Sequence, residues 1–205
     1  MLAFSSRVFT LGRMDISTLL DQLPESRRAH SIAVGERVRR ALTHAPHSIA
    51  PEHHEHVVTA ALLHDIGYAP SLAHGFHPLD GALGLQVLGF DPIVCDLVAH
   101  HTGAEWEAEE RGIPADAFAF YACDVDGIEE MRALVSWADL HTSPTGEAIE
   151  VEERLDDIVS RYGADHPVGR SVTAHRLALL ALGSRFDPPH PYVHDERDEY
   201  LEAPR

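Results

Sequence analysis

The stretch ALLHDIG at residues 61–67 places two titratable side chains, His64 and Asp65, at the end of an apolar run. Apolar residues recur at helical spacing upstream of it, from Pro51, a favoured first residue of a helix, and Gly67 is a favoured residue just past the end of one. His64 falls on the inner face of this predicted helix. A buried polar group that loses its contact with water needs a new hydrogen-bonding or ionic partner. The stretch therefore predicts a polar site inside the hydrophobic core.

The rest of the chain has the same periodicity, with apolar residues three and four positions apart and no alternation typical of a strand. Asp91 followed by Pro92 is a strong signal for a helix start, and Asp126 is a predicted cap of a helix that continues through Asp139. The predicted helices cover 15–23, 26–43, 51–66, 78–89, 91–103, 104–111, 126–139, 151–162 and 167–182, with 118–126 as an irregular connection. We therefore predict an all-α fold with a single helical bundle.

Length and composition favour one domain, since 205 residues with 44% apolar side chains are enough for one core. We predict a lead-in over 1–24, a helical domain over 25–185 and a disordered tail over 186–205, which is Pro-rich and charged. No apolar run approaches the roughly 18 residues of a membrane helix, and the N-terminus lacks the features of a signal peptide. We expect a cytoplasmic protein with no membrane partner. Its oligomeric state stays open, because one core can explain every helix stripe.

The charge balance argues against several classes of function. All 16 basic residues are Arg, against 33 Asp and Glu, so the net charge is −17 with neutral histidines. Such a surface repels phosphate backbones, and a nucleic-acid partner is not expected. The absence of Lys excludes Schiff-base chemistry. Sixteen histidines are candidate metal ligands, although those of the segment EHHEH at 52–56 lie in a first helical turn that we expect to face solvent.

Ligand-type side chains recur on the inner faces of other predicted helices. His30, His100 and Asp139 each lie on an apolar stripe, and His77 stands at a helix entrance. Counting residues 61–67, five segments of the chain thus place side chains that can bind a metal toward one core.

The order His30, His64-Asp65, Asp139 resembles the H…HD…D pattern of the HD superfamily of metal-dependent phosphohydrolases, and the resemblance covers residues 27–142. It implies an all-helical metal-binding domain in which one metal ion takes these four side chains. It also implies that His64 and Asp65 form the catalytic pair, with Asp65 placed to bridge to a second ion.

Two further segments, HPLDGA at 77–82 and HHTG at 100–103, are similar to the additional histidines of the dinuclear branches of that superfamily. The resemblance implies that a second metal ion takes Asp65, His77 and His100. The interval from Asp65 to His77 is short for a dinuclear member, so His74 is the alternative ligand.

The resemblance implies one or two divalent transition-metal ions, because mixed nitrogen and oxygen ligands suit Fe, Mn, Co, Ni or Zn better than Mg or Ca. Two such ions hold a hydroxide as nucleophile and neutralise phosphoryl oxygens. The implied function is hydrolysis of a phosphomonoester or phosphodiester bond in a small, nucleotide-like phosphorylated substrate. Two alternatives are an HD-type diiron oxygenase and a metal-stabilised regulatory or binding domain without turnover.

Four side chains are predicted to bind the substrate. Arg27 and Arg28 lie one turn before His30 and supply positive charge. His101 points about 100° away from His100 on a continuous helix, so we assign His100 to the metal and His101 to the substrate. His141 follows Asp139 by two residues and is predicted at the pocket rim.

Overall fold

A computed structural model of the chain describes residues 15–44 and 47–186. Within these ranges the fold is all-α, as predicted, and the only β-type pairing there is an isolated bridge between Thr142 and Ala148. None of the helices in these ranges combines the length and the apolar character that a bilayer crossing needs. The predicted tail lies outside the described residues from position 187 onward, and so do residues 1–14 of the predicted lead-in.

The described ranges contain eleven α-helices joined by short connections. In chain order they are α1 (Ile16–Leu20), α2 (Glu25–His44), α3 (His54–Leu63), α4 (His77–Val87), α5 (Pro92–Ala99), α6 (Ala104–Glu110), α7 (Asp116–Ala119), α8 (Ile128–Leu140), α9 (Val151–Tyr162), α10 (Pro167–Ala174) and α11 (Arg176–Gly183). Three 3₁₀ turns lie at Pro51–His53, Ile66–Tyr68 and His101–Gly103. The predicted start signal at Asp91 is confirmed, since its carboxylate accepts a hydrogen bond from the amide of Ile93 at 2.9 Å.

Two groups of apolar side chains form the core. In the larger group α2 packs on α3 and α8, α3 packs on α5, and α4 packs on α5, with Val34, Leu63 and Leu97 fully buried. Leu19 and Leu20 of α1 join this group, so the packed part of the chain begins before residue 25.

The smaller group lies between the end of α8 and the helices α9, α10 and α11. It consists of Leu140, Val151, Leu155, Val172 and Leu179. This packing places α9–α11 over the end of α8 that carries Asp139.

Two of the predicted helices are interrupted by a break in the helical backbone. The helix expected over 91–103 ends at Ala99, because Thr102 adopts a left-handed backbone (φ +48°, ψ +44°) and its amide donates to Ser136 Oγ at 2.8 Å. The helix expected over 167–182 is divided at His175 (φ −109°, ψ 17°) into α10 and α11. The break after Ala99 decides whether His100 or His101 faces the core.

Gly67 allows the turn at Ile66–Tyr68 to lie directly against α4. A Cβ atom at position 67 would stand 2.0 Å from the carbonyl oxygen of His77 and 2.7 Å from the amide nitrogen of Gly81. Backbone atoms cannot move aside as a side chain can. We therefore expect Gly67→Ala to lower the free energy of unfolding by about 3 kcal/mol in urea denaturation.

Gly84→Ala is the matched control for this substitution. There the added Cβ meets only the side chain of Leu72, at 2.8 Å, and Ala is a better helix former than Gly. We expect a loss of about 1 kcal/mol or less. Equal losses in the two variants would show that the close approach at Gly67 carries no special cost.

Candidate metal centre

Six ligand-type side chains from five parts of the fold meet in one place. They are His30 from α2, His64 and Asp65 just after α3, His77 at the start of α4, His101 just after α5, and Asp139 in the last turn of α8. Their ligand atoms form three overlapping groups, each within 4.8 Å: His30, His64 and Asp65; His64, His101 and Asp139; and Asp65, His77 and His101. All except His77 are buried, and the side chain of His77 is only 15% exposed.

Three of the histidines are held with the same ring nitrogen facing the centre. The Nδ1 atoms of His30, His64 and His101 lie 2.9, 2.8 and 2.7 Å from the backbone carbonyl oxygens of Ser143, Ala61 and Val98. A carbonyl oxygen only accepts, so each Nδ1 carries the proton. In this tautomer a neutral ring presents the lone pair of Nε2, which is the arrangement of a histidine that binds a metal.

The unpaired Nε2 of His64 is the strongest sign that these residues fit a metal ion. This atom is buried and makes no hydrogen bond with the protein. Burial lowers the pKa of His64 to about 4, so its ring is neutral at pH 7. An unsatisfied buried acceptor costs roughly 1–3 kcal/mol, and a cation beside it removes that cost. The Nε2 atoms of His77 and His101 contact each other at 3.2 Å, so one cation can bind both lone pairs in place of that contact.

The two carboxylates are held in the charged form. Burial alone would raise the pKa of Asp65, but its electrostatic interactions with the His64 ring and the Arg27 guanidinium outweigh it and hold that pKa well below its usual range. Burial likewise opposes the low pKa of Asp139, and the hydrogen bond from His30 and the electrostatic interaction with the His64 ring overcome it. Two charged carboxylates beside four imidazoles form a mixed ligand set that suits divalent transition metals.

His30 must give up a proton when a metal binds. Burial alone would lower its pKa, but its 3.0 Å contact from Nε2 to Asp139 Oδ1 and the charge of that carboxylate raise the pKa above its usual value. Below that pKa, protons compete with the metal for Nε2. The apparent affinity for the ion that binds His30 should therefore rise about tenfold per pH unit as the pH approaches the pKa from below, with about one proton released by that ion at pH 6.

Calorimetric titration of the metal-free protein with Mn²⁺, in two buffers of different ionisation enthalpy, measures this proton release. His64 should contribute none at pH 6, because its pKa of about 4 leaves it neutral there. A heat of binding at pH 6 that is independent of the buffer would contradict the prediction.

His101 lies in the cluster, and His100 does not. The Nδ1 atom of His100 contacts Glu105, and its ring packs against Phe118. The prediction assigned His100 to the metal and His101 to the substrate, and the structure instead places His101 among the candidate ligands and His100 outside them, because α5 ends at Ala99 and the chain turns before continuing as a regular helix. The spacing of 100° per residue applies only within a continuous helix.

Thr102 is part of the same turn and supports the cluster. Among the residues that the structure describes, it is the only one other than glycine with positive φ. Its Oγ1 donates to Asp139 Oδ2 at 2.7 Å, which orients the carboxylate. A left-handed β-branched residue is strained, and such strain is typical of functional sites.

The structure brings Arg27 to the centre and leaves the other predicted substrate ligands, apart from His101, outside it. Arg27 Nη1 donates to Asp65 Oδ2 at 2.7 Å, and its guanidinium carbon lies 4.0 Å from the centre of the Tyr68 ring. Arg28 pairs with Asp21 at 2.9 Å on the surface. His141 points toward α11, where its Nε2 lies 2.9 Å from the carbonyl oxygen of Gly183. The predictions for Arg28 and His141 are therefore corrected.

His74, the alternative to His77, also lies outside the cluster. Its side chain is 72% exposed, and its Nδ1 lies 2.6 Å from the carbonyl oxygen of Leu72. His77 begins α4 instead, with its Nε2 3.5 Å from Asp65 Oδ1 and its ring stacked on Tyr68. The structure thus favours the first of the two choices.

Arg154 reaches the centre from α9 and was not predicted from the sequence. Its Nη2 lies 3.6 Å from Asp139 Oδ1, and its side chain is only 8% exposed. A signal was present in the sequence: Arg154 interrupts the apolar stripe formed by Val151, Leu155 and Ile158, and a charged residue on such a stripe needs a partner.

A pocket of about 100 Å³ opens above the cluster. Its floor contains Asp65, His77, His101 and Asp139, and Arg27 and Arg154 lie beside them. Its wall is formed by apolar side chains of the smaller core and by two tyrosines, namely Leu140, Leu155, Ile158, Val168, Val172, Leu179, Tyr68 and Tyr162. A ligand here would have its polar end at the cluster and its apolar part against α9–α11.

A sequence profile of the HD domain matches residues 27–131, just over half of the chain. The chain belongs to the HD domain family. No curated protein and no solved structure gives a significant match. The resemblance noted in the sequence is therefore confirmed at the level of the family, whose members are in general metal-dependent phosphohydrolases.

The HD domain match ends before two of the residues that complete the centre. It includes Arg27 and five of the six clustered side chains, but Asp139 and Arg154 lie beyond residue 131. Asp139, near the end of α8, and Arg154, in α9, therefore lie beyond the matched range.

Proposed function

We propose that this HD domain protein is a metal-dependent phosphohydrolase that cleaves a phosphomonoester or phosphodiester bond in a small, nucleotide-like substrate. The observation that carries the proposal is the combination, in one pocket, of a six-residue metal cluster with the guanidinium groups of Arg27 and Arg154. Metal ions held by such ligands, and arginine guanidinium groups, both bind phosphoryl oxygens strongly.

The donor set supports one or two divalent ions. His30, His64, Asp65 and Asp139 would hold one ion, and Asp65, His77 and His101 would hold the other. When bound, such ions supply Lewis acidity: they polarise a phosphoryl group and acidify water.

The other steps fall to residues of the chain itself. Arg27 is held by Asp65 and by the Tyr68 ring, so its position is set before the substrate arrives. Arg154 lies on the side of Asp139 and can neutralise charge that develops on the phosphoryl oxygens. The residues that line the pocket include no Ser or Cys, and Thr102 already donates its hydroxyl to Asp139, so we assign the nucleophile to water.

The pocket wall supports a nucleotide-like leaving group. Tyr162 offers an aromatic ring, and Leu155 and Val172 offer apolar surface, whereas the Tyr68 ring is already covered by Arg27 and His77. A planar base can stack or pack on such a wall while its phosphate reaches the cluster.

The test is metal analysis followed by an activity screen. The native metal content is measured, the protein is stripped with a chelator, and Mn²⁺, Co²⁺, Fe²⁺, Ni²⁺ or Zn²⁺ is restored before assay against phosphomonoesters and phosphodiesters. Metal-dependent phosphate release is the expected result. Oxygen consumption by the Fe²⁺ form without phosphate release would instead identify an oxygenase, and tight metal binding without any turnover would identify a binding domain.

A further inference from the structure

A second pocket lies beside the metal centre and is lined by three arginines. It has a volume of about 210 Å³ and is bounded by Ser26, Arg27, His30, Pro144, Arg154 and Arg161. We call it the arginine pocket. None of these residues is acidic, although the chain has a net charge of −17 and only 16 basic residues. A local field of opposite sign is expected where an anion binds.

Arg154 carries the strongest evidence for a ligand in this pocket. Its side chain is more than nine-tenths buried, and its Nε and Nη1 atoms make no hydrogen bond with the protein. The nearest carboxylate oxygens, on Asp139 and Asp157, lie 3.6 Å from Nη2 and Nη1, beyond ordinary hydrogen-bond length. A buried guanidinium with unsatisfied N–H groups requires an acceptor, and its planar fork matches two oxygens of a phosphate.

The three arginines connect the arginine pocket to the metal centre. Arg27, Arg154 and Arg161 line both pockets. Arg27 donates to Asp65, which is a candidate metal ligand, and Arg161 is held by Asp157 at 2.9 Å. A phosphate in the arginine pocket would therefore be adjacent to a phosphoryl group at the metal centre, with the same guanidinium groups beside both.

We propose that the arginine pocket binds a second phosphate group of the substrate, so that the substrate is a compound with two phosphate groups. This rests on the proposed function for the position of the reacting phosphoryl group at the metal centre. The second phosphate is held in place and is not cleaved there, because no candidate metal ligand except His30 lines that pocket.

The first test measures binding without activity. Metal-free protein is titrated with inorganic phosphate by calorimetry. Arg154→Gln and Arg161→Gln should each weaken binding about tenfold or more, as expected for the loss of a charge-assisted hydrogen bond. Arg161 is partly exposed, so its variant remains informative if Arg154→Gln does not fold. Arg39→Gln, an exposed arginine paired with Glu36 on α2, is the matched control and should bind phosphate as the unmodified protein does.

Phosphate affinity that is unchanged by Arg161→Gln, or lowered equally by Arg39→Gln, would overturn the proposal. Both results would show that phosphate binds elsewhere or responds only to net charge.

The second test distinguishes whether the arginine pocket binds the reacting phosphate or a second phosphate of the substrate. The metal-loaded protein is assayed with a nucleoside 5′-monophosphate and the corresponding 5′-diphosphate. Arg161→Gln should raise KM for the diphosphate about tenfold more than KM for the monophosphate, and Arg39→Gln should change neither. An equal rise for both substrates would overturn the proposal, because the arginines would then serve the reacting phosphate alone. If neither compound is hydrolysed but phosphate binding still depends on Arg161, the proposed function fails and the anion pocket stands.

Discussion

Asp65→Asn is expected to abolish phosphohydrolase activity, with a loss of at least about 10³-fold in kcat/KM. Asp65 belongs to two of the three groups of candidate ligands, and no other carboxylate contributes to both. The amide keeps the size of the side chain but removes the negative charge that holds Arg27 and attracts cations. A metal contributes several kcal/mol to transition-state stabilisation, and each 1.36 kcal/mol is a factor of ten in rate.

The same variant should also lose metal. Elemental analysis after dialysis against a low concentration of Mn²⁺ measures the bound ions per chain, and thermal unfolding of the metal-free protein verifies the fold. Asp21→Asn is the matched control, because Asp21 is exposed and pairs only with Arg28 on the surface. Full metal content together with full activity in Asp65→Asn would eliminate the proposed mechanism.

His101→Ala should remove the second metal ion, whereas His100→Ala should keep both. The Nε2 of His101 lies 3.2 Å from that of His77 and belongs to two candidate ligand groups, while His100 contacts Glu105 outside the cluster. We expect the metal content of His101→Ala to fall from two ions to one per chain, with a loss of activity of about 10²-fold or more. Titration with Co²⁺, followed by its visible absorption, counts the ions.

This pair of variants is a sharp test because the two histidines are adjacent in sequence and chemically identical. A change in both variants would indicate a general effect on the turn after α5. Loss of metal in His100→Ala alone would support the prediction from the sequence that His100 is the metal ligand. It would contradict the geometry of this turn.

The predicted identity of the cluster rested on side chains that lie on well-formed helices. His30 lies within the 20 residues of α2, and Asp139 lies in the last turn of α8, so helical periodicity places both on inner faces. His64 and Asp65 follow an apolar helix directly, and their sequence is specific enough to suggest the family. For these four residues the local pattern and the tertiary structure agree.

The errors occurred where a helix ends. His100 and His101 could not be assigned from periodicity, because α5 ends at Ala99, directly before them. Thr102 then takes a left-handed conformation, which only its contacts with Ser136 and Asp139 explain. Both of these partners belong to α8, more than 30 residues away in sequence. Arg28 and His141 were misplaced because closeness in sequence to a ligand does not fix the direction of a side chain.

The sequence by itself determined the all-α class, the family and the side chains His30, His64, Asp65 and Asp139, because each of these follows from local periodicity or from a short motif. It left open whether His77 or His74 is the further ligand, and the tertiary structure decided for His77. The tertiary structure alone decided that His101 replaces His100 and that Arg154 and Arg161 of α9 stand beside the centre. Side-chain direction at a chain turn and the docking of α9–α11 over α8 depend on contacts between residues far apart in sequence, and no local pattern records them.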